Sequence, residues 1–183
     1  GWSPGDDREN VTMQELTELF TVEKVHSSPA RFDMKKLEAI NGDKIRALTL
    51  DDFLTRTLPF LTKAGIITGT DAEVALVKKA LPIIQERIVK LDETPALLKF
   101  LFVKEFAVDA DAVSKITDDA SKDILKRSLK ELEALTTWDH ASIEATLRAA
   151  LIEDMGLKPR IAFTALRIAT TGSTISPPLF ESM

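Results

Sequence analysis

Val74, Val77, Leu81, Ile84, Ile88 and Leu91 recur at intervals of 3, 4, 3, 4 and 3 residues. That spacing puts all six on one face of an α-helix, and a strand, with its period of two, cannot satisfy it. Pro82 lies inside the stripe. It has no N–H to give the carbonyl of Lys78, and its ring crowds that group. The spacing therefore predicts one long helix kinked between Lys78 and Leu81. Arg87 falls about one turn beyond the kink, beside the stripe rather than on it.

The same reading extends along the chain. Thr12 with Glu15 and Thr70 with Glu73 have the form of capping boxes, and Thr49 with Asp52 resembles one. Thr94-Pro95 places a cap before a first-turn proline. Further helices are expected over about 120–135 (Leu125, Leu129, Leu132), about 141–155 (Ile143, Leu147, Leu151) and from Pro159 to about Thr171. Gly156 and Gly172 act as stops. Ser176-Pro177 reads as a new helix start. No alternating apolar and polar run is long enough for a sheet. The fold class expected is all-α. Periodicity lapses near Leu48-Thr49 and near Glu105-Phe106, which divides the chain into 1–48, 49–104 and 105–183.

Several function classes drop out on composition. The chain has 183 residues, 44% of them hydrophobic, and no Cys. It can bury a real core but can form neither a disulfide nor a thiolate. Its two histidines, His26 and His140, are far apart and lack metal-ligand spacing. It has no Gly-rich phosphate loop and no nucleophile elbow. Its carboxylates alternate with lysines on helix faces, as at Lys126, Lys130 and Glu133, the pattern of a solvated surface. The longest apolar run, near Ala96 to Val103, contains Lys99 and is too short to cross a bilayer. A non-catalytic cytoplasmic protein without a metal site is expected.

The net charge of −5 argues against diffuse nucleic-acid binding, which needs many phosphate-neutralising cations. Any RNA contact must be local. Between Asp154 and Glu181 no acidic residue occurs, while Lys158, Arg160 and Arg167 do. A weaker basic region runs from Arg31 to Arg46, where Arg31, Lys35, Lys36, Lys44 and Arg46 outnumber Asp33, Glu38 and Asp43. In that region Asp33 is a helix cap, Phe32 a staple, Leu37 and Ile40 face a core, and Asn41-Gly42 is a turn or helix stop.

The string from Phe32 to Asn41, F-D-x-x-K-L-x-x-x-N, resembles a block of the glutamyl-tRNA synthetases. The opening Gly1-Trp2-Ser3, the Arg87 helix, Trp138 with the helix after it, Leu166-Arg167 with Thr171-Gly172, and Pro177 to Glu181 match the same family in the same order. Ala165 stands where the family usually has proline, and Pro178 where it usually has glycine. The resemblance is to the C-terminal part of bacterial members, past the nucleotide-binding fold and short of the last helix, so a piece of a longer synthetase is expected.

That resemblance implies roles. Arg87 occupies the position that meets the third anticodon base. Arg167, Ser176, Pro177 and Leu179 occupy the pocket for the first two. Arg31, Lys35 and Lys36 belong to a module that touches the inside corner of the tRNA. The implied partner is tRNA(Glu), with tRNA(Gln) as a second candidate, bound by a monomer. ATP and magnesium belong to the parent enzyme, which joins glutamate to tRNA, and no cofactor is implied in this piece. The alternatives are a helical protein-interaction module and a stand-alone regulatory paralogue of the anticodon-binding domain.

Overall fold

The computed structural model describes residues 1–5, 11–27, 31–103 and 107–183. Among them there is no strand, as the missing period-two pattern predicts. The expected boundary at Glu105-Phe106 falls outside the described residues.

In chain order the α-helices are α1 (Met13–Leu19), α2 (Met34–Arg46), α3 (Leu50–Lys63), α4 (Asp71–Ala80), α5 (Pro82–Gln85), α6 (Thr94–Leu98), α7 (Ala110–Val113), α8 (Asp119–Glu133), α9 (His140–Arg148) and α10 (Pro159–Thr171). Short 3₁₀ turns lie at Val22–Lys24, Leu91–Glu93, Lys99–Leu101 and Phe180–Ser182, and a π-helical segment, Ala149–Asp154, carries on from α9.

The local start signals act as written. Thr12 and Thr70 close both halves of their capping boxes, and the Thr49 hydroxyl accepts from the Asp52 amide. At Thr70 the Glu73 carboxylate does more. It accepts from the amides of Thr68, Gly69 and Thr70 and from the hydroxyls of Thr68 and Thr70, at 2.9–3.1 Å. These donors, the Thr70 amide foremost, pull its pKa down to about 2.

The middle of the Val74–Leu91 stripe is buried and its two ends half-buried, but not on one kinked helix. α4 ends at Ala80, Pro82 opens the single turn of α5, and the chain leaves helical geometry after Gln85. Val77, Leu81, Ile84 and Ile88 are all 0% exposed. The proline interrupts the ladder where its missing N–H falls, and core contacts hold the rest of the stripe in place without a helix. Arg87 therefore sits in a turn, its amide donating to the Ile84 carbonyl at 2.9 Å.

Other expectations are corrected in the same way. Leu129 is 58% exposed, and α8 instead buries Ser121, Ile124 and Ser128, with Leu125 and Leu132 half-buried beside them. Leu37 and Phe32 are exposed, while Ile45 is the α2 residue that reaches the core. Thr94 is the first residue of α6 rather than its cap, because its hydroxyl donates to the Leu91 carbonyl at 2.7 Å. Asn41-Gly42 does not stop α2, which continues to Arg46. Ser176-Pro177 opens no helix, and only the Phe180–Ser182 turn forms.

Two buried clusters result. One joins Ile45, Phe53, Leu61, Ile67, Val77, Leu81, Ile84, Ile88 and Leu98. The other joins Ile124, Ile143, Leu147, Leu151, Ala162, Leu166 and Leu179. Phe163 and Phe180 close the second edge-to-face at 5.2 Å, and the Arg148 guanidinium lies over Phe163 at 5.4 Å.

Two measurements test this picture. Ile124→Ala should lower unfolding free energy by roughly 2–5 kcal/mol, whereas Leu129→Ala should stay within about 0.5 kcal/mol. Urea melts giving equal losses would put Leu129 in the core. The Glu73 carboxyl, followed by NMR, should titrate near pH 2. Because its folded pKa lies below the ordinary 4.5, its stabilising contribution is complete above that value and is lost as pH falls towards 2. Thr70→Ala should move the midpoint up.

Candidate nucleic-acid interface

α10 is continuous from Pro159 because Ala165, 2% exposed, keeps the backbone donor that a proline would remove. It ends at Gly172, whose φ of 77° closes the helix in the left-handed region, its N–H donating to the Ile168 carbonyl at 2.8 Å. The Gly172 carbonyl in turn accepts from the Asp109 amide at 2.8 Å, which fixes the start of the following loop.

The loop comes back to α10 through Arg167. One guanidinium nitrogen, Nη1, donates to the Ser176 hydroxyl at 2.5 Å and to the Pro177 carbonyl at 3.0 Å. The Ser176 hydroxyl donates to that same carbonyl at 2.8 Å. Ser176 and Leu179 are 7% and 4% exposed, and Pro177 is buried. Ser176 and Pro177 therefore hold the guanidinium, Leu179 packs in the second buried cluster, and none of the three projects. At Pro178 the carbonyl accepts from the Ser182 hydroxyl at 2.6 Å, which starts the last turn.

The Arg87 turn is built by contacts that span the first half of the chain. Gln85 Nε2 donates to the carbonyls of Ile45, which also accepts from the Leu48 amide at 3.1 Å, and of Leu48, just past α2, both at 2.9 Å. Asn41 Nδ2 donates to the Val89 carbonyl. The Val89 and Lys90 amides donate to Glu93 Oε1 at 3.2 and 2.8 Å. Lys90 pairs with Glu38 at 3.2 Å, and that partner, by hydrogen bond and charge, raises the lysine's pKa. Gly42 faces this contact: a Cβ there would lie 3.1 Å from Val89 Cγ1 and 3.2 Å from Arg46 Nη1. The Asn-Gly pair thus marks a close approach of two elements. Sequence alone offered the dipeptide but not the element it meets, and it gave no sign of Gln85 or Glu93.

Arg87 and Arg167 are far apart in the chain and near in space. Burial first, and the Arg87 charge second, lower the pKa of Arg167. Arg46, Arg127 and Arg148 each pair with carboxylates. Among the described residues Arg87 and Arg167 have no such partner. A half-buried guanidinium beside a like charge, with donors to spare, is a standing site for an acceptor-rich ligand. A cavity of 430 Å³ lies against the loop, lined by Leu97, Lys99, Phe100, Asp109, Thr171, Ser173 and Ile175 among others. Arg31 and Lys35 line a separate cavity with Phe32, Asp33 and Met34. Lys36 follows on the first turn of α2, where its amide donates to Asp33. No group of three His, Asp or Glu side chains that could hold a metal occurs among the described residues, and no described helix is long and apolar enough to cross a membrane.

The profile of the anticodon binding domain family matches residues 52–183. The chain belongs to that family. Its relatives include the glutamate–tRNA ligases of Saccharopolyspora erythraea, 41% identical over the whole chain, and of Leifsonia xyli, 46% identical. The chain spans 37% and 38% of their respective lengths. A crystal structure of a glutamate tRNA ligase from Elizabethkingia meningosepticum, in complex with its amino acid, superposes on all of this chain with a TM-score of 0.78 at 22% identity, using 35% of its own length. A second, from Elizabethkingia anophelis, gives 0.74 at 23%. Both share the fold of this anticodon-binding domain.

Asn41→Ala should destabilise the domain by about 1 kcal/mol and speed hydrogen exchange at the Val89 and Lys90 amides. Unchanged exchange there would release Asn41 from any part in holding the Arg87 turn.

Proposed function

We propose that this domain reads the anticodon of tRNA(Glu), with tRNA(Gln) as the second candidate, Arg87 meeting the third base and Arg167 the first two. The observation that carries the reading is the pair of neighbouring guanidiniums without carboxylate partners, one of them half-buried. Ser176, Pro177 and Leu179 serve by shaping the wall that holds Arg167. Arg31, Lys35 and Lys36 serve in a weaker contact with the tRNA stem. The units 1–48, 49–104 and 105–183 are the end of a stem-contact module and two anticodon-binding subdomains; the two separate buried clusters support the division between the second and third, while Ile45 of the first packs in the same cluster as the second. In this reading the domain acts as a cytoplasmic monomer. It serves an enzyme that joins glutamate to tRNA with ATP and magnesium, the chemistry residing outside this chain.

The chemistry suits single-stranded loop bases read on their pairing edges. A guanidinium only donates hydrogen bonds. Cytosine offers acceptors on its pairing edge, whereas guanine turns donors toward the arginine. Glutamate and glutamine anticodons differ at the third base, C against G, so an arginine there favours C.

Arg167→Ala should weaken binding of a tRNA(Glu) anticodon stem-loop by roughly 1–3 kcal/mol with the fold intact. Arg87→Gln supplies both a donor and an acceptor. It should narrow the preference for C over G more than it lowers affinity. A C-to-G ratio identical in the two proteins would make Arg87 a surface arginine. No salt-dependent RNA binding at all would favour a protein-interaction module.

A further inference from the structure

Arg160, Thr164, Arg167 and Thr171 recur at intervals of 4, 3 and 4 residues and so share one face of α10. The stripe is polar throughout and carries no acid. The hydroxyls of Thr164 and Thr171 donate to the carbonyls of Arg160 and Arg167, at 2.6 and 2.8 Å, and so lie flat along the helix instead of filling the space before it. At its Arg160 end the stripe opens into a second cavity, of 580 Å³, lined by Lys115, Asp118, Ser121, Lys158, Arg160, Ile161, Thr164 and Thr174.

Three cations and one carboxylate face this groove. Lys115, Lys158 and Arg160 have no ion-pair partner among the described residues. Asp118 is committed to the start of α8, where it accepts from the Ser121 amide at 2.6 Å. The α10 N-terminus enters the same groove without a side-chain cap. Thr174 belongs to the loop that Arg167 clamps, so the groove and the loop are continuous. Distance sets the ligand. Arg160 and Lys158 stand seven and nine residues before Arg167, or about 10–14 Å at ~1.5 Å per residue. A nucleic-acid strand advances about 3.4 Å per phosphate. The groove is then about three to four nucleotides from the base pocket, the reach from the central bases of a loop to its flanking stem.

We propose that the groove between the N-terminal turn of α10, Lys115 and the Thr174 loop binds the phosphodiester backbone of the RNA strand flanking the anticodon. It sets the register in which Arg167 and Arg87 meet the bases. The proposal rests on the anticodon-reading function above and adds to it a contact that is blind to sequence.

The test uses the 183-residue chain, two anticodon stem-loops differing only at the third base, and a salt titration. Lys158→Ala with Arg160→Gln should weaken both stem-loops alike, about 5- to 30-fold near 0.1 M salt. It should also flatten the log–log salt slope by about 0.7–0.9 for each lost phosphate contact. Arg160→Lys should retain most of the affinity, since a phosphate accepts either charge. Lys130→Ala, on the solvent face of α8, should change neither quantity. Wild-type binding with an unchanged double variant would overturn the groove and leave the anticodon reading standing. So would a changed C-to-G ratio, or an equal loss on Lys130→Ala. Failure of the wild-type chain to bind either stem-loop would sink the anticodon reading, and the groove with it.

Discussion

Helix ends leave backbone carbonyls without partners, and this chain fills several of them with side chains and amides from elsewhere. Gln85 covers the Leu48 carbonyl just past α2 and adds a second donor to that of Ile45. Asn41, from inside α2, covers Val89 just past Arg87. The Asp109 amide covers Gly172 at the end of α10, and Arg167 covers Pro177 in the loop beyond. Each of these bonds joins an irregular segment to a helix that is packed for other reasons. Together they settle where Arg87 and Arg167 stand. Arg87 lies in a turn that would not have placed it unaided, whereas Arg167 sits on α10 and is aimed by its bonds to the loop.

What was legible in the sequence divides along the same line. The boxes at Thr12 and Thr70 and the cap at Thr49 involve residues three apart, so their geometry follows from the local chain. The start of α10 at Pro159 and its stop at Gly172 are local too. The apolar residues of the 74–91 stripe were legible as core, yet their helix was not, because burial of Ile88 needs a cavity to enter and not a helical backbone. Leu129 and Leu37 misled for the converse reason. A face three or four residues wide admits two neighbouring rotations, and only the partner helix selects one. Asn41-Gly42 and Ser176-Pro177 carried turn and cap chemistry in their residue types. Each spends it on a distant group instead: the Val89 carbonyl for Asn41, the Arg167 guanidinium for Ser176.

The same rule separates the cations that make structure from those left over. Arg46, Arg127 and Arg148 are taken up by carboxylates within their own or a packed helix. Lys90 and Lys78 bridge to Glu38 and Asp51 on other helices. The chain is acidic overall, with 29 carboxylates against 24 Lys and Arg, so an unpaired cation is not forced by a shortage of partners. For Lys158, Arg160 and Arg167 it arises where the sequence withholds them. No acid occurs between Asp154 and Glu181, and Asp118, which reaches the edge of that region, is held by its own helix.

If an acidic domain is to read RNA, as proposed, this arrangement gives it specificity. Its net charge of −5 repels a polyanion at long range, so a complex forms only where several uncommitted donors meet the strand together. In the proposed reading, Arg87 and Arg167 at the bases and Lys115, Lys158 and Arg160 one groove away supply such a set. A strand that satisfies the groove but presents the wrong base leaves the Arg167–Arg87 pair facing donors, with its mutual repulsion unrelieved. Burial first, and the neighbouring Arg87 charge second, lower the pKa of Arg167, and under the proposed reading that same unneutralised pair is the source of the discrimination expected of the pocket.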